Sequence, residues 1–364
     1  MSHTRRCGGG RATTAFLSAA AVALGVPADA GAAAADRADE LAAALRAMDA
    51  RVVPADSELG RRLPRMTADD VRARLREAGR RQTEAWRRLD SQADWERFRD
   101  ARIAALRESL GRPAEPPADL RLRVTGSAET EGVVVENLVF ESRPGLIVTA
   151  NLYRPAAAPA KPAPGLVVVH SHHNPKTQSE LQDMGILWAR AGCTVVVPDM
   201  PGHGERRAHP FADAASFPGP FRVGRQDYWF RYNTGMQLHL VGESLIGWMA
   251  HDISRCADVL LSRPGVDRGR LVLLGSVAGG GDPAAVAAAL DARFAAVVPF
   301  NFGGPQPETA YPLPADAEET FDYVGGGSWE STRNLRLSAR DGFLPRVIVG
   351  AAAPPRLVYA HEFS

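Results

Sequence analysis

Apolar positions along this chain follow two different periods. From Asp36 to about Gly111 they recur at helical spacing. Leu41, Leu45, Met48 and Val52 form one stripe. Val71, Leu75, Trp86 and Leu89 form a second behind Thr67, a capping residue. Trp95, Phe98, Leu106 and Leu110 form a third, with Arg102 as an amphipathic stem at its edge. The other faces are mostly Arg, Glu and Asp, which predicts a solvated helical extension with one buried stripe. The run Arg112-Pro113-Ala114-Glu115-Pro116-Pro117 then predicts a stiff linker.

Beyond the linker the period becomes that of strands. Segments 120–124, 133–140 and 146–153 are β-branched and apolar, and Arg143-Pro144-Gly145 predicts a hairpin turn between the last two. After a proline-rich spacer over 155–164, Gly165 to His170 is a continuous apolar run, as expected of a strand buried on both faces. Helices are expected over 178–191, 237–261 and 282–290, and strands over 194–197, 271–274, 295–300 and 356–359, with a long loop reaching Thr234. This alternation predicts an α/β fold: a doubly wound, mostly parallel sheet, preceded by an antiparallel meander and the helical extension. The loops after the strand C-termini are where ligands should bind.

The N-terminus changes the picture of where the protein acts. Arg5 and Arg6 precede an apolar run from Ala12 to Val26, and Ala28, Ala30 and Ala32 offer small-residue cleavage sites. Residues 1–32 therefore read as a signal peptide, by general secretion or a twin-arginine route, with the mature chain starting near Gly31 or Ala33 and located outside the cytoplasm. The run is shorter than the roughly 20 residues a membrane span needs, and Cys7 precedes it, so no membrane anchor is expected. Residues 33–118 form the helical extension and 119–364 the α/β domain. Basic and acidic residues number 43 and 42, leaving a formal net charge of +1 and no field to draw nucleic acid. All the basic residues but Lys161 and Lys176 are Arg, as in GC-rich coding. Three cysteines are too few for a disulfide scaffold, and Cys193 and Cys256 read as buried free thiols.

Three loops carry candidate chemistry. In His170-Ser171-His172-His173-Asn174-Pro175 the backbone could present N–H groups to a developing oxyanion, or the histidines could serve a substrate loop or a metal. In Pro198-Asp199-Met200-Pro201-Gly202-His203-Gly204 alternating glycines allow a tight turn with close backbone approach. In Leu274-Gly275-Ser276-Val277-Ala278-Gly279-Gly280-Gly281 a strand ends in small residues and opens a helix, the setting of a nucleophile elbow. Val277 occupies the nucleophile position between Gly275 and Gly279. Ser276 is the candidate nucleophile one residue early, and strand alternation predicts that its hydroxyl points away from the cleft.

The last two thirds of the chain resemble the acetyl xylan esterase and dienelactone hydrolase-like branch of the α/β-hydrolases. The resemblance rests on Phe140–Gly145 with Thr149–Pro155, on Pro198–Gly204, on the elbow at Gly275–Gly280 and on Pro355–Glu362. It implies ester hydrolysis by Ser, Asp or Glu, and His with no cofactor and no metal, on a small-molecule or polysaccharide ester. By position it makes the Ser171 and Ala278 N–H groups the oxyanion hole, puts Glu362 near the catalytic acid, and leaves His170, His172 and His203 to the substrate loops.

Two departures stand beside it. Val277 carries no nucleophile, and the family's histidine, expected after one more strand and helix, has no counterpart before Ser364; His361 comes too early in the Ser, acid, His order. The expectation is a chain whose final strand and helix are missing. Three readings follow: an exported carboxylic-ester hydrolase; a degenerate homologue binding carbohydrate or a partner through Tyr228, Trp229, Phe230 and Tyr232 with Arg225 and Arg231; or a metallohydrolase using His170, His172, His203 and Asp199. Neither the acyl and alcohol parts of the substrate nor the oligomeric state can be read from the sequence.

Overall fold

The computed structural model describes residues 28–49, 51–112, 115, 117–170, 175–208, 223–275, 277–300, 302, 335–353 and 356–360. The chain divides into two compact units, Met1–Asp70 and Val71–Ser364.

The first unit contains helix α1 (Ala28–Ala47) and the short α2 (Glu58–Arg62), capped by the Ser57 side chain, which accepts from the Gly60 amide at 2.9 Å. Helix α3 (Met66–Arg87) begins in this unit and continues into the second. Of the stripe Leu41, Leu45, Met48 and Val52, only Leu41 and Leu45 lie in α1, which ends at Ala47; all four side chains are exposed, Val52 at 95%, so the expected burial is not observed. The cause is compositional. An Ala-rich helix offers too little apolar area to build a core, and no described residue of the first unit is buried.

In the second unit, α4 (Gln92–Leu110) is capped by Ser91 and buries Leu106 and Leu110. Trp86, Trp95 and Phe98 pack at centroid distances of 5.6–6.2 Å, and the Arg102 guanidinium lies 3.4 Å over the Phe98 ring, so the predicted amphipathic stem covers the aromatic stripe.

The sheet follows. Strands β1 (Arg123–Thr130), β2 (Val133–Arg143) and β3 (Leu146–Pro155) form the antiparallel meander, with Gly145 at φ +80° in the predicted turn. Strand β4 (Ala163–Val169), helix α5 (Ser179–Arg190) and strand β5 (Thr194–Pro198) form the first crossover. Helices α6 (Val223–Leu240) and α7 (Leu245–Leu261) precede β6 (Val266–Gly275), α8 (Val277–Leu290) and β7 (Phe294–Pro299). Short helices α9 (Ser338–Asp341) and α10 (Pro345–Ala351) lead to β8 (Arg356–Leu357). The strand order is β1-β2-β3-β5-β4-β6-β7-β8. From β5 to β8 every pairing is parallel, and β3 meets β5 antiparallel. This is the doubly wound, mostly parallel sheet with an antiparallel N-terminal meander that the pattern predicts.

Burial explains the run-on apolar strands. Residues 165–169 and 194–198 are buried throughout because α5 packs against one face of the sheet and α7 and α8 against the other. Two expectations shift. The segment expected as loop up to Thr234 contains α6, and the expected helix over 237–261 is broken at 241–244, where Gly242 takes φ +81° and Ser244 caps α7. Helix α8 starts five residues ahead of Asp282 and runs through Pro283, its seventh residue, which costs it one i→i−4 hydrogen bond.

Candidate active site

Parallel register brings the three loops singled out above to one end of the sheet. Val169 pairs with Gly275 and Gly275 with Pro299, so His170, the position after Gly275 and Phe300 follow adjacent strand ends. Gly275 ends β6 and Val277 opens α8. Strand alternation therefore stops at Gly275. Close approach requires the glycines here: a Cβ on Gly280 would lie 2.4 Å from the Val169 carbonyl oxygen and 2.8 Å from that of His170. Ala278 lies in the first turn of α8, where backbone N–H groups have no intrahelical acceptor. Ser171, His172, Ser276, His361 and Glu362 lie outside the described residues.

The loop after β5 is organised by Asp199, which is fully buried. Its carboxylate accepts from Thr149 Oγ1 at 2.8 Å, from the Lys176 amide at 3.1 Å, from Lys176 Nζ at 2.5 Å and from the Glu205 amide at 3.3 Å. Burial alone would raise the pKa of this carboxyl, but the Lys176 ammonium and the donated hydrogen bonds hold it below its ordinary value. Burial opposes the charge on Lys176 as well, and Asp199 and Glu205 overcome it, so the lysine pKa is raised. Gly204, at φ +55°, has no room for a side chain because a Cβ would stand 2.3 Å from Asp199 Oδ1. Arg206 Nη1 donates to the Asp199 carbonyl at 2.9 Å and to Asp252 Oδ2 at 2.8 Å, tying the loop to α7.

Both described histidines of the cleft are buried and engaged. The Met200 amide donates to His170 Nε2 at 2.9 Å. Arg231 Nη2 donates to His203 Nε2 at 2.8 Å, and His203 Nδ1 donates to the Pro201 carbonyl at 3.3 Å. Each ring is thus held with an unprotonated Nε2 whose lone pair faces an N–H donor. The two rings lie 4.7 Å apart between centroids, tilted by 58°. Arg207 pairs bidentately with the buried Asp227 at 2.9 and 3.2 Å, and Asp227 Oδ2 stands 3.9 Å from His203 Nε2. Among the described residues no three His, Cys, Asp or Glu side chains gather to hold a metal ion. Phe230 lies against Gly202, where a Cβ would meet its ring at 2.2 Å.

Sequence reasoning singled out His170, Asp199 and His203, and the structure brings them together. It missed Thr149, Lys176, Arg206, Asp227 and Asp252. Lys176 did carry a signal, as one of only two lysines in an arginine-rich chain. The two aspartates carried none, since each lies within a helix, away from the loops that follow the strands.

A mixed sheet with this strand order, in which β6 ends at Gly275 and α8 opens at Val277 at the C-terminal edge of the parallel strands, defines an α/β-hydrolase fold. The family model for acetyl xylan esterase matches residues 93–302, more than half of the chain, and the chain belongs to that family of carboxylic-ester hydrolases. A protein of Bacteroides fragilis assigned as an acetyl xylan esterase superposes with TM-score 0.53 at 18% identity, over 74% of this chain and 69% of that one. A methylesterase gives TM-score 0.49 at 18% identity over 79% of this chain and 64% of its own, so the chain spans less than two thirds of that protein. A glucuronoyl esterase from Solibacter usitatus gives 0.47 at 18% identity over 74% and 75%. A sequence comparison with curated proteins found no match.

Proposed function

We propose that this chain is an exported carboxylic-ester hydrolase of the acetyl xylan esterase type, cleaving a small-molecule or polysaccharide ester at the C-terminal ends of β4, β5 and β6. Ser276 is the nucleophile. The amides of Ser171 and Ala278 form the oxyanion hole, and Glu362 stands near the acid position. The observation that carries this reading is the direct passage of strand β6, which ends at Gly275, into helix α8, which opens at Val277. That passage sets the first-turn amides of α8 at the end of the strand, where an anionic tetrahedral intermediate would be stabilised. His170, Asp199 and His203 build the cleft wall. The Nε2 atoms of the two histidines accept from N–H donors and the Asp199 carboxylate is held by Lys176, so these residues shape the site rather than remove a proton. Removal of the leader over residues 1–32 places the mature chain outside the cytoplasm.

A second reading, a degenerate homologue that binds carbohydrate without cleaving it, is favoured by Val277 and by those occupied histidines. Turnover of a chromogenic acetate ester by the native and Ser276→Ala proteins decides between them. The esterase reading expects a loss on the order of 10²-fold or more on substitution. Equal rates would remove Ser276 as the nucleophile, and no turnover with retained binding of acetylated xylan would transfer the assignment to the degenerate reading.

A further inference from the structure

Away from the cleft, a cavity of about 670 Å³ lies between the C-terminal end of α4, the N-terminal half of α7 and the end of α8. Leu110, Ala250, Ala287 and Leu290 give it apolar walls, and its size suits a small organic ligand. Over residues 245–257 of α7 every position is buried except Gly247, Trp248, His251 and Ser254. These four fall on one helical face, and all of them line the cavity. What surface this half of the helix keeps therefore opens into the cavity.

His251 is the unusual member of that face. Its Nε2 donates to the Ser142 carbonyl at 2.9 Å, which fixes the proton on Nε2 and leaves Nδ1 as an acceptor. Nδ1 has no hydrogen-bond partner among the described residues, and it is not among the buried polar atoms left without one, so it keeps accessible surface. Burial holds the His251 pKa below its ordinary value despite the Ser142 bond, and the nearby Arg143 charge acts in the same direction as burial, so the ring is neutral at pH 7. The polar groups beside it are engaged within the wall. Trp248 Nε1 donates to the Glu243 carboxylate. Ser254 Oγ donates to Asp291 and accepts from Arg293 Nη2 at 3.0 Å, and Arg293 also holds Asp291. Arg143 is 4% exposed, its guanidinium laid over the Trp248 ring.

We propose that this cavity binds a small uncharged hydroxyl compound with an apolar body, such as a phenol, its hydroxyl donating to His251 Nδ1 and its body lying against Leu110, Ala250, Ala287 and Leu290. A carboxylate would set its lone pairs against that of Nδ1, and an ammonium would enter beside the Arg143 charge, so the site selects a neutral donor. The proposal does not depend on the esterase reading.

The test is titration of the full chain, carrying isotope-labelled histidine, with p-cresol and with toluene, which lacks the donor. Calorimetry reads affinity and nitrogen NMR reads the ring of His251. p-Cresol should bind and move the His251 Nδ1 resonance upfield, as an unprotonated ring nitrogen does when it accepts a hydrogen bond, and toluene should leave that resonance in place. His251→Phe should weaken p-cresol about tenfold, the effect of stranding its hydroxyl against an apolar wall, and change toluene binding by less than about twofold. The wild-type spectra keep the test valid where loss of the bond to Ser142 impairs folding. No binding of p-cresol, an unmoved His251 resonance, or p-cresol affinity undiminished in His251→Phe would each overturn the proposal.

Discussion

Replacing Asp199 by Ala removes the carboxylate on which four donors converge, and the structure sets the expected cost. Lys176 is 5% exposed and would keep only Glu205, whose side chain is 69% exposed, as a charged partner. Removing one member of a buried ion pair costs about 3–5 kcal/mol, because the other charge stays buried and unpaired. At about 2–4 °C per kcal/mol for a domain of this class, the melting temperature should fall by about 6–20 °C. The double variant Asp199→Ala with Lys176→Met should recover most of that loss, since replacing both charges by apolar groups is close to neutral. Circular dichroism melts of the wild type, both single variants and the double variant complete the cycle. The pH dependence has a definite sign. The Asp199 pKa is lowered in the folded state, so its stabilisation is complete above the unfolded carboxylate value, about 3.9, and is lost as pH falls through the folded value. The Lys176 pKa is raised, so its share is complete below the unfolded lysine value, about 10.4, and is lost as pH rises through the folded value. The gap between wild type and Asp199→Ala should therefore be widest between these limits. A loss of less than about 2 °C in the single variant, or a double variant as unstable as the single, would refute the reasoning.

Three further outcomes are expected. Gly280→Ala should cost about 1–3 kcal/mol in a denaturant titration, because its Cβ would meet two backbone carbonyls at the end of β4 that cannot rotate away. Cys193 and Cys256 should stay unreactive towards a thiol reagent at pH 8 until the protein is unfolded, since both are buried and burial raises both pKa values, that of Cys256 strongly. Mass spectrometry of the exported protein should find its first residue near Gly31 or Ala33, and an intact Met1 or Ser2 terminus would contradict export with cleavage.

The fold was legible where one period dominated. Buried strands at 165–169 and 194–198 could be read from unbroken runs of Val and Leu, and the turn at Gly145 from its Pro-Gly pair. Helix α6 was obscured because its aromatic and arginine residues give no apolar stripe, and Gly235, through which it runs, is a poor helix former. The exposed stripe of α1 shows the opposite failure: spacing predicts a helix, but burial needs a partner of sufficient apolar area, which spacing does not encode. In the cleft, Asp199 and the two histidines stood out by their place after strands. Their partners Arg206, Asp227 and Asp252 did not, because those contacts join residues 7 to 46 positions apart and arise only when α6 and α7 fold back over the strand ends.

The central claim is that position 276 bears the nucleophile, and covalent labelling tests it most directly. Incubation of the native protein with a fluorophosphonate ester, followed by peptide mass spectrometry, should place one adduct on the hydroxyl of Ser276 and none in the Ser276→Ala variant. An unlabelled Ser276, or an adduct on another residue that persists in the variant, would contradict the account.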